Sequence, residues 1–573
     1  MEVQNEKTKA RLIWDCGSTL YDSFELKSFN KQLESAIASR TLSMPHLVSR
    51  RAPPPPAAEA KPEPPAEKRA SKFSRSLNKF LRSFLKSWRN TASTGPISNV
   101  RGQTKGGFYV IYDKSGALST IQKVPETVSE YTEVAPAYNY LVRRSASERF
   151  RAASIEFAKR LIILNQSNFI FTFLIPNTGS ALEAQNKALE STPKSINAVF
   201  LPPVSLDDIS EETPLEARIG LTLSRSIPSL RDSRKVLLKL KSSVEALVVD
   251  LFGVEALDVA REFGVLPYIF FPCSSLFLSF LFHLPSLSQA PSFECMNLDE
   301  EVQLPGCEPV QKRDLVAPDQ DKTDEGFGMI IQISRRIPMA SGIMVNSFFE
   351  LEKGSFKAFK EDGSRFPLVY PVGPLIQTGS TEMSNSECLK WLDHQPRCSV
   401  LFVSFGSGGT LSEEQLTELA FGLEMSGQRF LWVTGSPNNE ASHATFFTLQ
   451  SSKDPFDFLP KGFTERTKNI GLVVPSWAPQ LQVLSHCSTG GFLTHCGWNS
   501  ILESIVHGVP LIAWPLFGDQ RMNATMVSVG LKVGIRMKKN GSGVVERAEI
   551  ANHVKSLMVG EEGKMMRERM VEL

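Results

Sequence analysis

The alternation of apolar and polar positions changes character near residue 155. Before that point, residues 53–56 and 61–65 are proline-rich and of low complexity, a composition that cannot build a packed element and predicts a linker or a disordered arm. Phe73, Leu77, Phe80, Phe84 and Trp88 then recur at helical spacing, while Lys72, Arg75, Lys79, Arg82, Lys86 and Arg89 fill the other faces. This pattern predicts a basic amphipathic helix within residues 68–90. Such a helix suits an anionic membrane surface or a partner's groove, or a solvated face over some local apolar surface, and the two readings stay open. Residues 107–112 read as a strand, turned by Asp113 to Gly116.

Beyond residue 155 short apolar runs alternate with helical stretches. Strands are predicted at 169–175, 198–201, 246–252 and 268–271, with a helix over 254–263, and the alternation implies a mostly parallel sheet. Residues 365–380, rich in Pro and Gly, read as an interdomain linker. A second alternating series follows at 400–405, 430–433, 472–474, 491–494 and 511–513. The fold class is therefore α/β. Two such units leave a cleft between the carboxyl ends of two sheets, where ligands of these folds bind.

Size and charge narrow the function. A chain of 573 residues is too long for one core. With 63 basic and 61 acidic residues the net charge is +2, so no nucleic-acid partner is expected. The eight cysteines are scattered without a C-x-x-C pair, which suggests neither a metal site nor a disulfide framework and fits a reducing cytosol. The polar N-terminus lacks an apolar signal core, so a cytoplasmic protein is expected. Residues 268–285 form the longest apolar stretch, but Pro272, Cys273, Ser274, Ser275, Ser279 and His283 interrupt it, which favours a buried strand and core helix over a membrane span.

The chemistry concentrates between Trp477 and Gln520. Trp477 offers a flat face for a nucleobase and Gln480 a hydrogen-bonding edge. The run Gly490 to Ser500 reads as a strand, a glycine turn and a helix start, where backbone N–H groups and the helix dipole favour phosphate, with His495 beside them. Glu503, one turn into that helix, can accept both hydroxyls of a ribose. Asp519 and Gln520, after the strand at 511–513, supply acceptors and donors for sugar hydroxyls. The loop from Gly406 to Thr410, containing Ser407, is glycine-rich enough to approach phosphate. Each piece is weak alone, and their joint order is not.

The block WAPQ … THCGWNS … LES … GVP … AWP … DQ closely resembles the signature box of plant secondary-product UDP-glycosyltransferases. The resemblance extends upstream through FVSFGSGGTLS, VYPVGPLI, VVDLFG, FLPPVSLDDI and IEFAKRL, most similar to the branch that glucosylates hydroquinone and monolignol-type phenols. It implies two Rossmann-like domains facing a cleft (GT-B type), with acceptor bound by 151–375 and UDP-sugar by 376–573, and a largely disordered extension over 1–150. It also implies that Trp477 stacks on uracil and Gln480 meets its edge. His495, Asn499 and Ser500 would hold the pyrophosphate, Glu503 the ribose, and Asp519 and Gln520 the glucose, with Trp498 and Ser407 also at the donor. The implied reaction is an inverting, metal-independent transfer from the co-substrate UDP-glucose to a small phenol by a monomeric enzyme, with no cofactor. Phe271, Leu276 and Phe277 would suit a flat phenol, although core packing is the preferred reading of all three.

The chain also departs from that family. Members begin with a strand and a loop carrying a general-base His. Here the helix containing IEFAKRL follows Ser145 and Glu148, whose spacing is that of a capping box, so the helix is expected to start earlier and the first strand to be missing. The strand at 107–112 is a distant substitute. No histidine lies between His46 and His283. Asp250 matches the residue that orients the family's base, without its partner. The chain stops inside the family's helical tail, so closing contacts across the cleft are expected to be lost. The N-terminal 150 residues resemble a plant protein family of unknown function, through WDCGSTLYDSFEL, SRSLNKFLRSFLKSW and YVIYDKSGALSTI. The rival expectation is a non-catalytic UDP-sugar-binding or membrane-associated scaffold.

Overall fold

The computed structural model describes the backbone of residues 107–111 and the segments 146–164, 170–176, 178, 195–209, 215–239, 244–316, 325–362, 365–376, 386–406, 409–437 and 455–573. The helix expected within 68–90 and Ser407 lie outside these residues.

The first lobe is a parallel sheet of seven strands in the order β3-β2-β1-β4-β5-β8-β9. These are β1 (Gly107–Ile111), β2 (Ile170–Ile175), β3 (Ile196–Phe200), β4 (Val244–Val249), β5 (Leu266–Phe271), β8 (Gly342–Val345) and β9 (Leu368–Pro371). A separate small hairpin joins β6 (Glu301–Val302) to β7 (Val310–Gln311). The helices used below are α1 (Ala146–Leu164), α2 (Leu215–Lys239), α3 (Ala256–Glu262), α4 (Ser275–Leu287) and α5 (Glu325–Arg336).

The central slot of this sheet is filled, which corrects the expectation of a missing first strand. Residues 107–111 pair in parallel with β2 on one side, Phe108 against Phe171 and Ile111 against Leu174. On the other side they pair with β4, Ile111 against Val249. Both neighbours are apolar and would otherwise present unpaired backbone at the middle of a buried sheet. Helix α1 begins at Ala146, ahead of the IEFAKRL stretch as expected. Phe157 of α1 stacks on Phe270 of β5, with ring centroids 5.4 Å apart.

The stretch expected to be a linker is partly sheet: β9 pairs with β8 from Gly342 against Leu368 to Val345 against Pro371. Pro and Gly obscured it, and an edge strand tolerates Pro where a central one does not. The apolar run at 268–285 forms β5 and α4 as expected. Helix α4 is buried from Ser275 to Phe282 and at Leu284, which is the signature of a helix packed on all sides. Phe271, Leu276 and Phe277 are all buried in the main core cluster, in keeping with their core reading. Among the described residues no helix is long and apolar enough to cross a membrane.

The second lobe is a parallel sheet of six strands, ordered β12-β11-β10-β13-β14-β15. They are β10 (Val400–Ser404), β11 (Arg429–Thr434), β12 (Gly471–Pro475), β13 (Thr489–Thr494), β14 (Leu511–Ala513) and β15 (Gly534–Arg536). Helices α6 (Glu413–Ser426), α7 (Gln480–Ser485), α8 (Trp498–Val506), α9 (Gln520–Thr525), α10 (Arg547–Val559) and α11 (Glu561–Glu572) complete it. All five residues of β10 and all six of β13 are buried, as strands covered by helices on both faces require. In each sheet the strand order reverses at one point, between β1 and β4 and between β10 and β13.

Candidate functional site

The chemistry-bearing residues of the second lobe gather at its topological switch point, the place where open α/β sheets bind ligands. The loops leaving β10 and β13 touch there. Gly406 has φ +74°, and a Cβ on it would stand 2.6 Å from the ring of His495. A Cβ on Gly497 would stand 2.5 Å from His495 Nε2. The imidazole, 6% exposed, is thus wedged between two backbones that only glycine lets come so close. Cys496 between them takes φ +62°, turning the chain sharply into α8.

Around the N-terminal half of α8 the predicted residues form one network. Gln480 donates through Nε2 to Ser500 Oγ at 3.1 Å and to Glu503 Oε2 at 2.6 Å. Ser500 is buried and Glu503 half-buried. Trp477 is half-buried at the end of β12, its backbone set by Ser476 at φ +62° and by the bond from Ser476 N–H to Thr434 O at 2.7 Å. One amide of Gln480 therefore links Ser500 and Glu503 of α8.

Asp519 and Gln520 stand at the start of α9. Gln520 accepts through Oε1 from Leu516 N–H at 2.9 Å and Phe517 N–H at 3.1 Å, so its carbonyl holds the preceding turn and its amide N–H groups are what it can offer a sugar. Burial pushes the Asp519 carboxyl above its ordinary value, against the opposing pull of Asn523, its own backbone and the Cys273 thiol. Asn523 Nδ2 donates to Asp519 Oδ2 at 3.0 Å and to Cys496 O at 3.2 Å.

The first lobe contributes to the same place. Burial holds the Cys273 thiol well above its ordinary range, and the Asp519 and then the Asp250 carboxylates raise it further, so these carboxylates flank one thiol from opposite lobes. Ser274 Oγ donates to Asn523 Oδ1 at 3.0 Å. Glu352 fixes the start of α4, accepting from Ser275 N–H and Leu276 N–H, both at 2.9 Å, and from Ser347 Oγ. Burial raises the Glu352 carboxyl, and those donors offset part of the rise.

Trp498 is buried at 4% exposure, and its indole N–H donates to Asn346 O of the first lobe at 2.6 Å, a bond that joins the lobes. Asn499 Oδ1 accepts from Asn346 Nδ2 at 3.3 Å. Asp250 is buried, and its Oδ1 accepts from Phe252 N–H at 3.0 Å and Gly253 N–H at 2.8 Å, closing the turn after β4. His283 lies in α4 with Nδ1 2.8 Å from Ser279 O and its ring edge-on to Phe366.

Sequence reasoning missed Asn346, Ser274 and Asn523. Asn346 follows β8 at the carboxyl end of the sheet, and Asn523 lies four residues after Asp519 on one helix face, so strand ends and i, i+4 spacing were the available signals.

The comparisons with known proteins agree with this geometry. Residues 381–569 match the family model "UDP-glucoronosyl and UDP-glucosyl transferase". The hydroquinone glucosyltransferase of Rauvolfia serpentina is 53% identical over 420 residues, 73% of this chain and 89% of that protein. UDP-glycosyltransferase 72B1 of Arabidopsis thaliana is 52% identical over 422 residues, 73% of this chain and 87% of that one. Among solved structures, Phytolacca americana UGT2 complexed with UDP-2fluoro-glucose and pterostilbene is 43% identical, covers 82% of this chain and 93% of its own, and superposes with a TM-score of 0.68. The double Rossmann-like architecture is the GT-B arrangement of these structures. A donor-site motif folded at a switch point, in a chain this similar to enzymes along most of their length, places the protein in the UDP-glucoronosyl and UDP-glucosyl transferase family.

Proposed function

We propose that the second lobe binds UDP-glucose and the first a small phenol of the hydroquinone or monolignol type, whose hydroxyl attacks the anomeric carbon with inversion as UDP leaves. The observation that carries the reading is the single network of Gln480, Ser500 and Glu503 beside the His495 loop. In it Trp477 stacks on uracil, Gln480 reads its edge, and Glu503 accepts the ribose hydroxyls. His495, Asn499, Ser500 and the N–H groups of α8 take the pyrophosphate, and Ser407 is assigned to the donor from the sequence alone. Asp519 and Gln520 take the glucose hydroxyls. The printed names of the relatives, a hydroquinone glucosyltransferase and a structure holding a UDP-sugar analogue with pterostilbene, support donor and acceptor class.

The transfer needs the acceptor proton removed as the bond forms. No histidine lies between His46 and His283, Asp250 closes its own turn, and the His283 ring is held against Ser279 and Phe366. A general base ordinarily supplies about 10²–10⁴-fold, so slow turnover is expected, and a chain that binds donor without forming product is the second reading. Titration calorimetry of the full chain with UDP tests the site. Glu503→Ala should weaken UDP by about 1–3 kcal/mol, the cost of stranding buried hydrogen-bonding groups. An unchanged affinity removes Glu503 from the ribose.

A further inference from the structure

Helix α9, which starts at the proposed sugar-binding pair, is gripped by the first lobe at more than one point. Asp314 ends the single 3-10 turn Lys312–Asp314 that follows β7. It is 2% exposed and accepts both arms of the Arg536 guanidinium, Nη1 to Oδ2 and Nη2 to Oδ1, each at 2.6 Å. Thr525, the last residue of α9, adds Oγ1 to Oδ2 at 3.2 Å, and Arg536 Nη1 also reaches Thr525 Oγ1 at 3.1 Å. Arg521, on the second residue of α9, points Nη1 at Arg313 O at 3.4 Å. Toward the middle of the helix, Ser274 of the first lobe holds Asn523, which in turn holds Asp519.

The turn that carries Asp314 is itself rigid. Lys312 is buried, and its ammonium donates to Phe293 O and Met296 O, both at 2.9 Å, tying the turn to the chain after α4. A bidentate pair between a buried carboxylate and a partly exposed guanidinium fixes orientation as well as distance. Binding constellations need placement to about 0.5 Å, supplied by groups behind the contacting ones. The printed bonds of Asp314 go to Thr525 and Arg536 and to none of Trp477, Gln480, His495, Asn499, Ser500 or Glu503, the described residues proposed for base, ribose and pyrophosphate.

We infer that Asp314 is a positioning residue: by locking Thr525 and Arg536 it seats α9 on the first lobe and so sets Asp519 and Gln520 for the donor sugar. The inference rests on the donor-site reading above. It makes recognition of the sugar, but not of UDP, depend on a residue of the lobe proposed to bind the acceptor. Closure of the lobes and sugar recognition then become one event.

The test compares Kd for UDP and for UDP-glucose in the full chain by titration calorimetry. Asp314→Asn keeps the shape and removes the charge. It should weaken UDP-glucose by about 3- to 30-fold while UDP stays within about twofold, the range of coupling energies measured for residues remote from a ligand. Thr525→Val, which keeps the ion pair, should change the same ratio in the same direction by less. A merely structural role moves both ligands together, so equal weakening, or an unchanged ratio in both variants, overturns the inference. Should Asp314→Asn fail to fold, the ratio in Thr525→Val decides. A wild-type chain that binds neither ligand sinks the donor-site reading and this inference with it, whereas wild-type binding with an unmoved ratio sinks this inference alone.

Discussion

The two lobes share a parallel α/β sheet with one reversal of strand order, yet they differ in how their functional ends are built. In the second lobe β10 to β15 follow one another along the chain, and Gln480, after β12, bonds to Ser500 and Glu503 of the helix after β13 in one network. In the first lobe the central strand comes from residues 107–111, far ahead of α1 at residue 146, and the polar side chains near the reversal are spent on the fold. Asp250 closes its own turn and Asn346 holds α8. The difference teaches that a sheet accepts a substitute strand on backbone pairing alone, whereas a proton-transfer site needs a particular side chain on the loop after it.

The strongest way to break this contrast is to supply the missing group. Exchanging residues 1–154 for a strand–loop–His segment of the family type keeps the central slot filled and adds a base. Glucosylation of hydroquinone from UDP-glucose should rise by about 10²–10⁴-fold, measured as product formed per enzyme. Equal turnover before and after the exchange would show that another residue, or solvent acting on an acidic phenol, already removes the proton.

The next effect is on stability, at the seam. Trp498→Ala removes a buried indole and leaves Asn346 O without its donor, and should cost about 3–5 kcal/mol in denaturant unfolding. Were Trp498 instead a ligand-facing residue, stability would change little and UDP affinity much, so measuring both separates the roles.

Much of the second lobe was legible because its signals are local. Alternating apolar runs gave five of its strands, and the short β15 was the strand not anticipated, its three residues being too few for a pattern. The ordered block from Trp477 to Gln520 placed the site, since a switch-point site draws on consecutive loops. What was not legible depends on pairing between distant segments. The strand at 107–112 offered itself only as a distant substitute, and its pairing with β2 and β4 came from the structure, while nothing in Asp314 announces Arg536, 222 residues later. The indole bond of Trp498 was not legible for the same reason, because its partner Asn346 lies 152 residues away in the other lobe.

A smaller effect sharpens the division of labour within the second lobe. Gln520→Ala should weaken UDP-glucose by about 1–2 kcal/mol and leave UDP unchanged, because its carbonyl holds the turn and its amide N–H groups are the part proposed to meet the sugar. Loss of affinity for both ligands would mean that the turn, not the sugar contact, is what Gln520 supplies.

The smallest effect expected is the pH dependence of sugar recognition, and its sign follows from Asp519. Burial raises its carboxyl above the ordinary 3.8, so as pH falls the folded chain protonates it before an exposed aspartate. A protonated carboxyl loses acceptor strength toward sugar hydroxyls, so UDP-glucose affinity should fall by about two- to fivefold while UDP affinity, read in parallel, holds. Stability runs the other way. A group whose folded pKa is raised contributes stability that is complete below the unfolded value and is lost as pH rises through the folded one. Asp519→Asn, which cannot ionise, should therefore gain stability relative to wild type as pH rises, and its ratio of UDP to UDP-glucose affinity should be flat across the same range. Opposite slopes of stability and sugar affinity in the wild-type chain, the first reduced and the second abolished in Asp519→Asn, would assign the sugar end of the donor to this carboxylate. A ratio that titrates equally in the variant would move the assignment elsewhere.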